Sequence, residues 1–128
     1  MTAQGHSFPK SERISGVKDV AALLAGGKWC RSELLKACYM RNGLEYSRVV
    51  VAVPKRLFKR AVKRNLLKRR IREAYRLQKE LLAGSVGQTP AGSATFGFDV
   101  LLQYNSPEVA DFAAIKADVA AVLRRIAE

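Results

Sequence analysis

The stretch RVVVAVPKRLFKRAVKRNLLKRRIREAYR, residues 48–76, decides how the chain is read. It opens on a β-branched run, breaks at Pro54, and continues without another Gly or Pro as a segment rich in Arg, Lys, Leu and Ala. The first part predicts a strand over 46–53. Its unbroken apolar character implies burial on both faces, hence a central place in a sheet. The second part predicts a helix over 59–83, ended by Gly84. At 3.6 residues per turn, Arg64, Asn65, Lys68, Arg69, Arg72 and Arg76 fall on one arc, free of acids. Leu67, Ile71 and Ala74 form a core-facing stripe beside it, and Val62, Leu66 and Leu77 form a second apolar stripe, so the helix is expected to be gripped on two flanks.

The charge is concentrated in the same place. From Lys55 to Arg76 there are eleven basic residues and one acid, Glu73, a net of +10, whereas the whole 128-residue chain carries +12. A solvated helix normally mixes signs to gain i,i+4 pairs; this one stacks Arg64, Lys68, Arg72 and Arg76 at that spacing, which costs a few tenths of a kcal/mol per pair in isolation. Contact with a polyanion relieves that repulsion, so nucleic-acid binding is favoured over a plain solvated face.

Working outward, a first helix is expected at 16–25, with Ser15 as N-cap and Gly26-Gly27 as its stop. A strand is expected at 32–41, with Asn42-Gly43 as a turn of the kind that joins antiparallel strands. Residues 84–95, GSVGQTPAGSAT, read as a mobile loop, and 97–104 as the last strand. Ser106 and Pro107 look like N-cap and N1 of a final helix whose Phe112, Ile115, Val119, Val122 and Ile126 step at core spacing. The expected architecture is an α/β (α+β) single domain of order α-β-β-α-β-α, a small central sheet packed by helices. Residues 1–7 read as a flexible tail and 8–128 as the RNA-binding domain.

Other classes find no support. No apolar run approaches the roughly 18–20 residues of a membrane span, and MTAQGHSFPKSER has no apolar core of a secretory signal. Cys30 and Cys38 stand without a second pair, which suggests reduced thiols in a cytoplasmic protein, with Cys38 half-buried in a strand. His6, the single histidine, lies in the polar tail. Nucleotide-binding, hydrolase and metalloprotease motifs are absent, so no catalytic residue and no metal ligand is expected in the protein itself. Asp99 and Glu33 read as sheet-surface residues.

At the basic helix the sequence closely resembles the protein component of bacterial ribonuclease P. That family carries a valine-rich strand, a basic pair, and then A-x-x-R-N-x-hydrophobic-K-R-x-hydrophobic-R along a helix. The match falls on Ala61, Arg64, Asn65, Leu67, Lys68, Arg69, Ile71 and Arg72, and Phe8–Ile14 (FPKSERI) is similar to the family's usual start. There are departures. Leu66 replaces the arginine of the usual Arg-Asn-Arg, so that contact is lost or moved to Arg70; Pro54 replaces a small residue; Val20 and Leu24 stand where the first helix usually has aromatics.

The resemblance implies a left-handed β-α-β crossover around the basic helix. It implies two RNA partners, the ribonuclease P RNA and precursor tRNA with its 5′ leader, and no membrane or obligate protein partner. It implies Mg²⁺ held mainly by the RNA subunit, which cleaves the leader. Lys55, Arg56, Arg60, Lys63, Arg64, Asn65, Lys68, Arg69 and Arg72 then contact the catalytic RNA. Phe8, Arg13 and Tyr39 are candidates for a leader cleft between the first helix and the sheet, a core position being the alternative for Phe8 and Tyr39. A ribosomal or other structural RNA-binding protein, and a duplex-DNA binder, are the competing readings.

Overall fold

The computed structural model describes residues 13–14, 17–42, 47–79, 81–82 and 97–127. Seven elements follow in order: α1 (Val17–Gly26), β1 (Lys28–Arg31), β2 (Leu35–Arg41), β3 (Arg48–Ala52), α2 (Ala61–Gln78), β4 (Phe98–Tyr104) and α3 (Phe112–Ala127). The order is therefore α-β-β-β-α-β-α, one strand more than expected, in a small α+β domain. The expected strand at 32–41 is β2, which starts only at Leu35 after a turn at Ser32–Leu34, and the additional strand is β1 on the other side of that turn.

The sheet order is β1-β2-β4-β3. β4 is antiparallel to β2 and parallel to β3. The central strand is thus β4, which is buried along nearly its whole length. β3 lies at the edge, and β4 separates it from β2, so Asn42 does not open a hairpin between neighbours. The valine run misled because α helices cover β3 by one face and α1 with Ile14 covers the other; a strand shielded on both faces reads as central wherever it stands. Beyond β3, the Ile14 N–H donates to the Val49 carbonyl at 3.0 Å, so part of the open edge is paired.

Strand alternation divides the side chains between two cores. On one face, Leu35, Ala37, Val49, Phe98, Val100, Leu102 and Tyr104 pack against Leu67, Ile71, Ala74 and Tyr75 of α2 and Ile115, Val119, Val122, Leu123 and Ile126 of α3. The 3-4-3-4 spacing read in the last helix is this face. On the other, Cys38 and Leu101 pack against Leu23 of α1 and Ile14. Each buried Leu, Ile or Val contributes about 1.5–3 kcal/mol.

α3 begins five residues after Pro107. Asp111 is its cap, its side chain accepting from the Ala114 N–H at 2.9 Å, while Ser106 accepts from the Glu108 N–H in a turn. α1 ends at Gly26, and Gly27 is required for close approach: a Cβ there would stand 2.6 Å from both the Cys38 sulfur and the Leu23 carbonyl oxygen. Ser15, the tail at 1–7, Gly84 and the loop at 84–95 lie outside the described residues.

Candidate nucleic-acid interface

α2 is held by one stripe, not two. Leu67, Ile71, Ala74 and Tyr75 are buried, Leu66 and Leu77 are half-buried, and Val62 is 78% exposed. With only its inner stripe taken, the helix turns a broad outer surface to solvent. Lys55, Arg56, Arg60, Lys63, Asn65, Arg69 and Arg72 are exposed there, and Lys68 and Arg64 are half-buried.

The N-terminal end of α2 is left positive. Arg60 at the cap position makes no side-chain capping bond, and the first turn holds no acid. The partial positive charge of the helix end therefore adds to the side chains of Lys55, Arg56, Lys59, Arg60 and Lys63. Arg64 braces this end from within: its Nη1 donates to the carbonyls of Phe58 at 2.9 Å and Lys59 at 2.8 Å. That bond orients the guanidinium and fixes the loop that carries the exposed lysines and arginines.

Further along, Arg69, Arg72, Glu73 and Arg76 of α2 line a surface depression of about 460 Å³ together with Arg13. Arg76 forks onto Glu73, with Nε–Oε1 at 3.0 Å and Nη2–Oε2 at 2.6 Å, and this hydrogen bonding holds the Glu73 carboxyl below its ordinary pKa. The one acid of the segment is thus neutralised in place. Four guanidinium groups line this depression, one of them held by Glu73, and guanidinium is a group whose donors can fork onto phosphate oxygens.

The expected leader residues do not gather. Arg13 stands beside Arg69 and Arg72, on the side of the sheet that carries α2. Tyr39 belongs to the core shared with α2 and α3, where its ring meets Phe98 edge-on at 6.4 Å. It lies on the face opposite α1, so it cannot line a cleft between α1 and the sheet; the strand register, one residue per flip, decides this. Phe8 lies outside the described residues. Arg70, the position to which the missing family arginine's contact could move, donates from Nη1 to the Ala110 carbonyl and ties α2 to the segment before α3.

What the sequence reading missed is on α1's face. Trp29 of β1 is 45% exposed, with the Lys36 ammonium 4.8 Å from its ring centroid. Strand 28–31 was not foreseen, so its indole had no face assigned to it. Asp99 was also misplaced: it is buried, accepting from Arg48 Nε at 2.9 Å, Arg48 Nη2 at 2.6 Å and Asn42 Nδ2 at 2.9 Å. Arg48 also reaches Asp19 of α1 at 3.5 Å. This chain of charges pins the start of α1 over the sheet. Glu33 is exposed, as expected.

Asp118 of α3 accepts from the Ser32 hydroxyl and from the N–H groups of Glu33 at 3.2 Å and Leu34 at 3.1 Å, holding the β1–β2 turn. Among the described residues no three His, Cys, Asp or Glu side chains converge. Cys38 is fully buried, not half-buried, and burial raises the pKa of both Cys38 and Cys30, so both favour the protonated thiol. Among the described residues, no helix is long and apolar enough to cross a membrane.

Comparison with known proteins agrees with this geometry. The family model described as Ribonuclease P matches residues 8–127. A ribonuclease P protein component from Porphyromonas gingivalis is 39% identical over 122 residues, covering 92% of this chain and 85% of that protein. One from Nitrosococcus oceani is 35% identical over 77 residues, covering 60% of this chain and 65% of that protein. The solved ribonuclease P protein of Thermotoga maritima superposes with a TM-score of 0.72 at 27% identity, covering 90% of this chain and 97% of that one. The motif on α2, the fold and the match over nearly the full length agree: the chain belongs to the ribonuclease P protein family.

Proposed function

We propose that this chain is the protein subunit of a ribonuclease P holoenzyme, in which it binds the catalytic RNA through α2 and helps remove the 5′ leader of precursor tRNA. The observation that carries the reading is the outer surface of α2: clustered cations on a helix whose inner stripe is locked into the core. A rigid cationic rod offsets the repulsion between two RNA molecules, and its arginines fork onto phosphates with defined geometry. Lys55, Arg56, Arg60 and Lys63 supply phosphate contacts at the N-terminal end. Arg64, Asn65, Lys68, Arg69 and Arg72 continue the interface along the helix, and Arg13 joins them rather than the leader. The leader lies on the other face of the sheet, beside α1.

Phosphodiester hydrolysis is assigned to the RNA, with Mg²⁺ held there. The protein's part is to bind, to orient and to neutralise charge, and it acts in the cytoplasm, where tRNA precursors are made.

The test is reconstitution. Purified protein is added to ribonuclease P RNA of the same source at low Mg²⁺, and cleavage of precursor tRNA is followed. Restored cleavage at the leader junction is the expected result. Unchanged cleavage, with tight binding to ribosomal RNA or to duplex DNA, would overturn the reading. Mg²⁺-dependent cleavage by the protein free of RNA would overturn the assignment of chemistry to the RNA.

A further inference from the structure

We propose that Glu73 sets where the RNA contact on α2 stops. By occupying Arg76 it breaks the row of cations after Arg72, which favours a folded RNA docked in one register over a plain duplex. The inference deepens the reading above and rests on it for the identity of the preferred RNA.

Lys68, Arg72 and Arg76 follow one another at four-residue spacing, so each lies about 6 Å along the helix axis from the next. A phosphate backbone laid along the axis meets Lys68 and Arg72 and would reach Arg76 next. There Glu73 intervenes. It is the one acid between Lys55 and Arg76, and it stands one turn after Arg69 and one turn before Arg76. Its carboxylate oxygens accept from Arg76 Nε at 3.0 Å and from Arg76 Nη2 at 2.6 Å. Those two donors form an edge of the guanidinium that forks onto phosphate. A phosphate approaching that edge meets a group of its own charge already in place.

The rest of the depression is different. Arg13, Arg69 and Arg72 line it with the pair, and they carry its net positive charge once Glu73 and Arg76 cancel. The polarity of the helix runs the same way. Its N-terminal end, with no acid and no side-chain cap, adds partial positive charge, whereas the last turn, which holds Arg76, lies at the partial negative end. Attraction for a polyanion therefore falls from the start of α2 to its end.

Stability does not account for the pair. The side chains of Arg76 and Glu73 are 34% and 47% exposed, and an i,i+3 pair so exposed adds little to a helix. An uninterrupted row of cations binds any duplex, because duplex phosphates are evenly spaced whatever the sequence. A row that ends at Arg72 withholds the next contact from a duplex. A folded RNA seated against Arg13, Arg69 and Arg72 in one register does not need it. Specificity then comes from a contact refused as much as from contacts made.

The test measures the affinity of the full-length protein for the ribonuclease P RNA of the same source and for a plain RNA duplex of unrelated sequence, over a series of salt concentrations. Glu73→Gln keeps the size of the side chain and removes its charge. It is expected to tighten duplex binding about five- to ten-fold at low salt and to steepen the duplex log-log salt slope by about 0.9, the contribution of one more neutralised phosphate. The preference for the ribonuclease P RNA falls accordingly. Adding Arg76→Ala to Glu73→Gln removes the released cation and returns slope and preference to near the wild-type values. An unchanged duplex slope in Glu73→Gln overturns the proposal. So does a double variant that keeps the steeper slope, because the gain then does not come through Arg76. Equal gains for both RNAs overturn the role in specificity. A wild-type protein with no preference for the ribonuclease P RNA refutes the holoenzyme reading instead, while the duplex slopes still decide whether Glu73 holds Arg76 back.

Discussion

Asp99→Ala is expected to destabilise the protein by about 3 kcal/mol and to loosen α1 from the sheet. The carboxylate is buried and accepts three hydrogen bonds, two of them from the Arg48 guanidinium. Removing one partner of a buried ion pair costs roughly 3–5 kcal/mol, because the remaining charge is left desolvated. Arg48 is still 22% exposed at its side chain and keeps Asp19 at 3.5 Å, which places the loss at the lower end of that range. For a domain of this size, about 3 kcal/mol corresponds to a fall in Tm of roughly 10–15 °C. Urea unfolding followed by far-ultraviolet circular dichroism measures it directly. Arg48→Met in the same background supplies the control: with both charges gone and an apolar chain in their place, most of the loss should return. A loss under about 1 kcal/mol for Asp99→Ala, or a double variant less stable than the sum of the two singles, refutes the argument that desolvation of Arg48 is what the carboxylate prevents.

Binding to the catalytic RNA should fall steeply with salt: if Arg60, Lys63, Lys68, Arg69 and Arg72 each neutralise one phosphate, the log-log slope is about −4, and a slope shallower than about −1 excludes α2 as the main contact. Arg69→Ala should weaken assembly with the catalytic RNA roughly ten- to a hundred-fold, and the defect should fade in excess protein or raised Mg²⁺; equal loss under all conditions points to misfolding instead. Tyr39→Ala should lower the unfolding midpoint, by the roughly 3–5 kcal/mol typical of a lost core aromatic at most, and leave the ratio of precursor to mature tRNA affinity unchanged; a changed ratio would put Tyr39 in the leader path after all. Gly27→Ala should destabilise by more than 1 kcal/mol, since the new methyl meets a backbone carbonyl that cannot rotate away; melts matching wild type would show that α1 shifts freely.

Helix α2 was legible because its information is local. Periodicity, lack of breakers and charge all lie within one run of residues, and the buried set Leu67, Ile71 and Ala74 follows from 3.6 residues per turn. The sheet was less legible because its order is set by distant pairings. Nothing within 48–52 shows that β4, fifty residues on, inserts between β2 and β3. The strand expected at 32–41 starts late, after the turn Ser32–Leu34, whose stabiliser, the Asp118 carboxylate, comes from α3. Once β1 was missed, Trp29 had no face. Asp99 looked like a surface residue because its partner Arg48 is on a strand that pairs with it only in three dimensions. Start signals also competed: Ser106-Pro107 has the form of a helix start, but Asp111 caps the helix that forms.

The two faces of one four-stranded sheet give the proposed division of labour its physical basis. α2 is packed on one face and α1 on the other, and the sheet between them is a single layer whose strands are joined by ladder hydrogen bonds. An RNA held along α2 and a strand held beside α1 therefore touch different side chains and need not compete for the same cations. Rigid coupling between the faces matters more than affinity on either, because a catalyst gains when one reactant is positioned against another. The residues that supply this rigidity carry no RNA contact in the proposal: Arg48 and Asp99 fix α1 to the sheet, and Arg70 and Asp118 fix α3 to α2 and to the β1–β2 turn. Loss of these ties should therefore weaken the effect of the leader on binding while leaving the charge of α2 untouched.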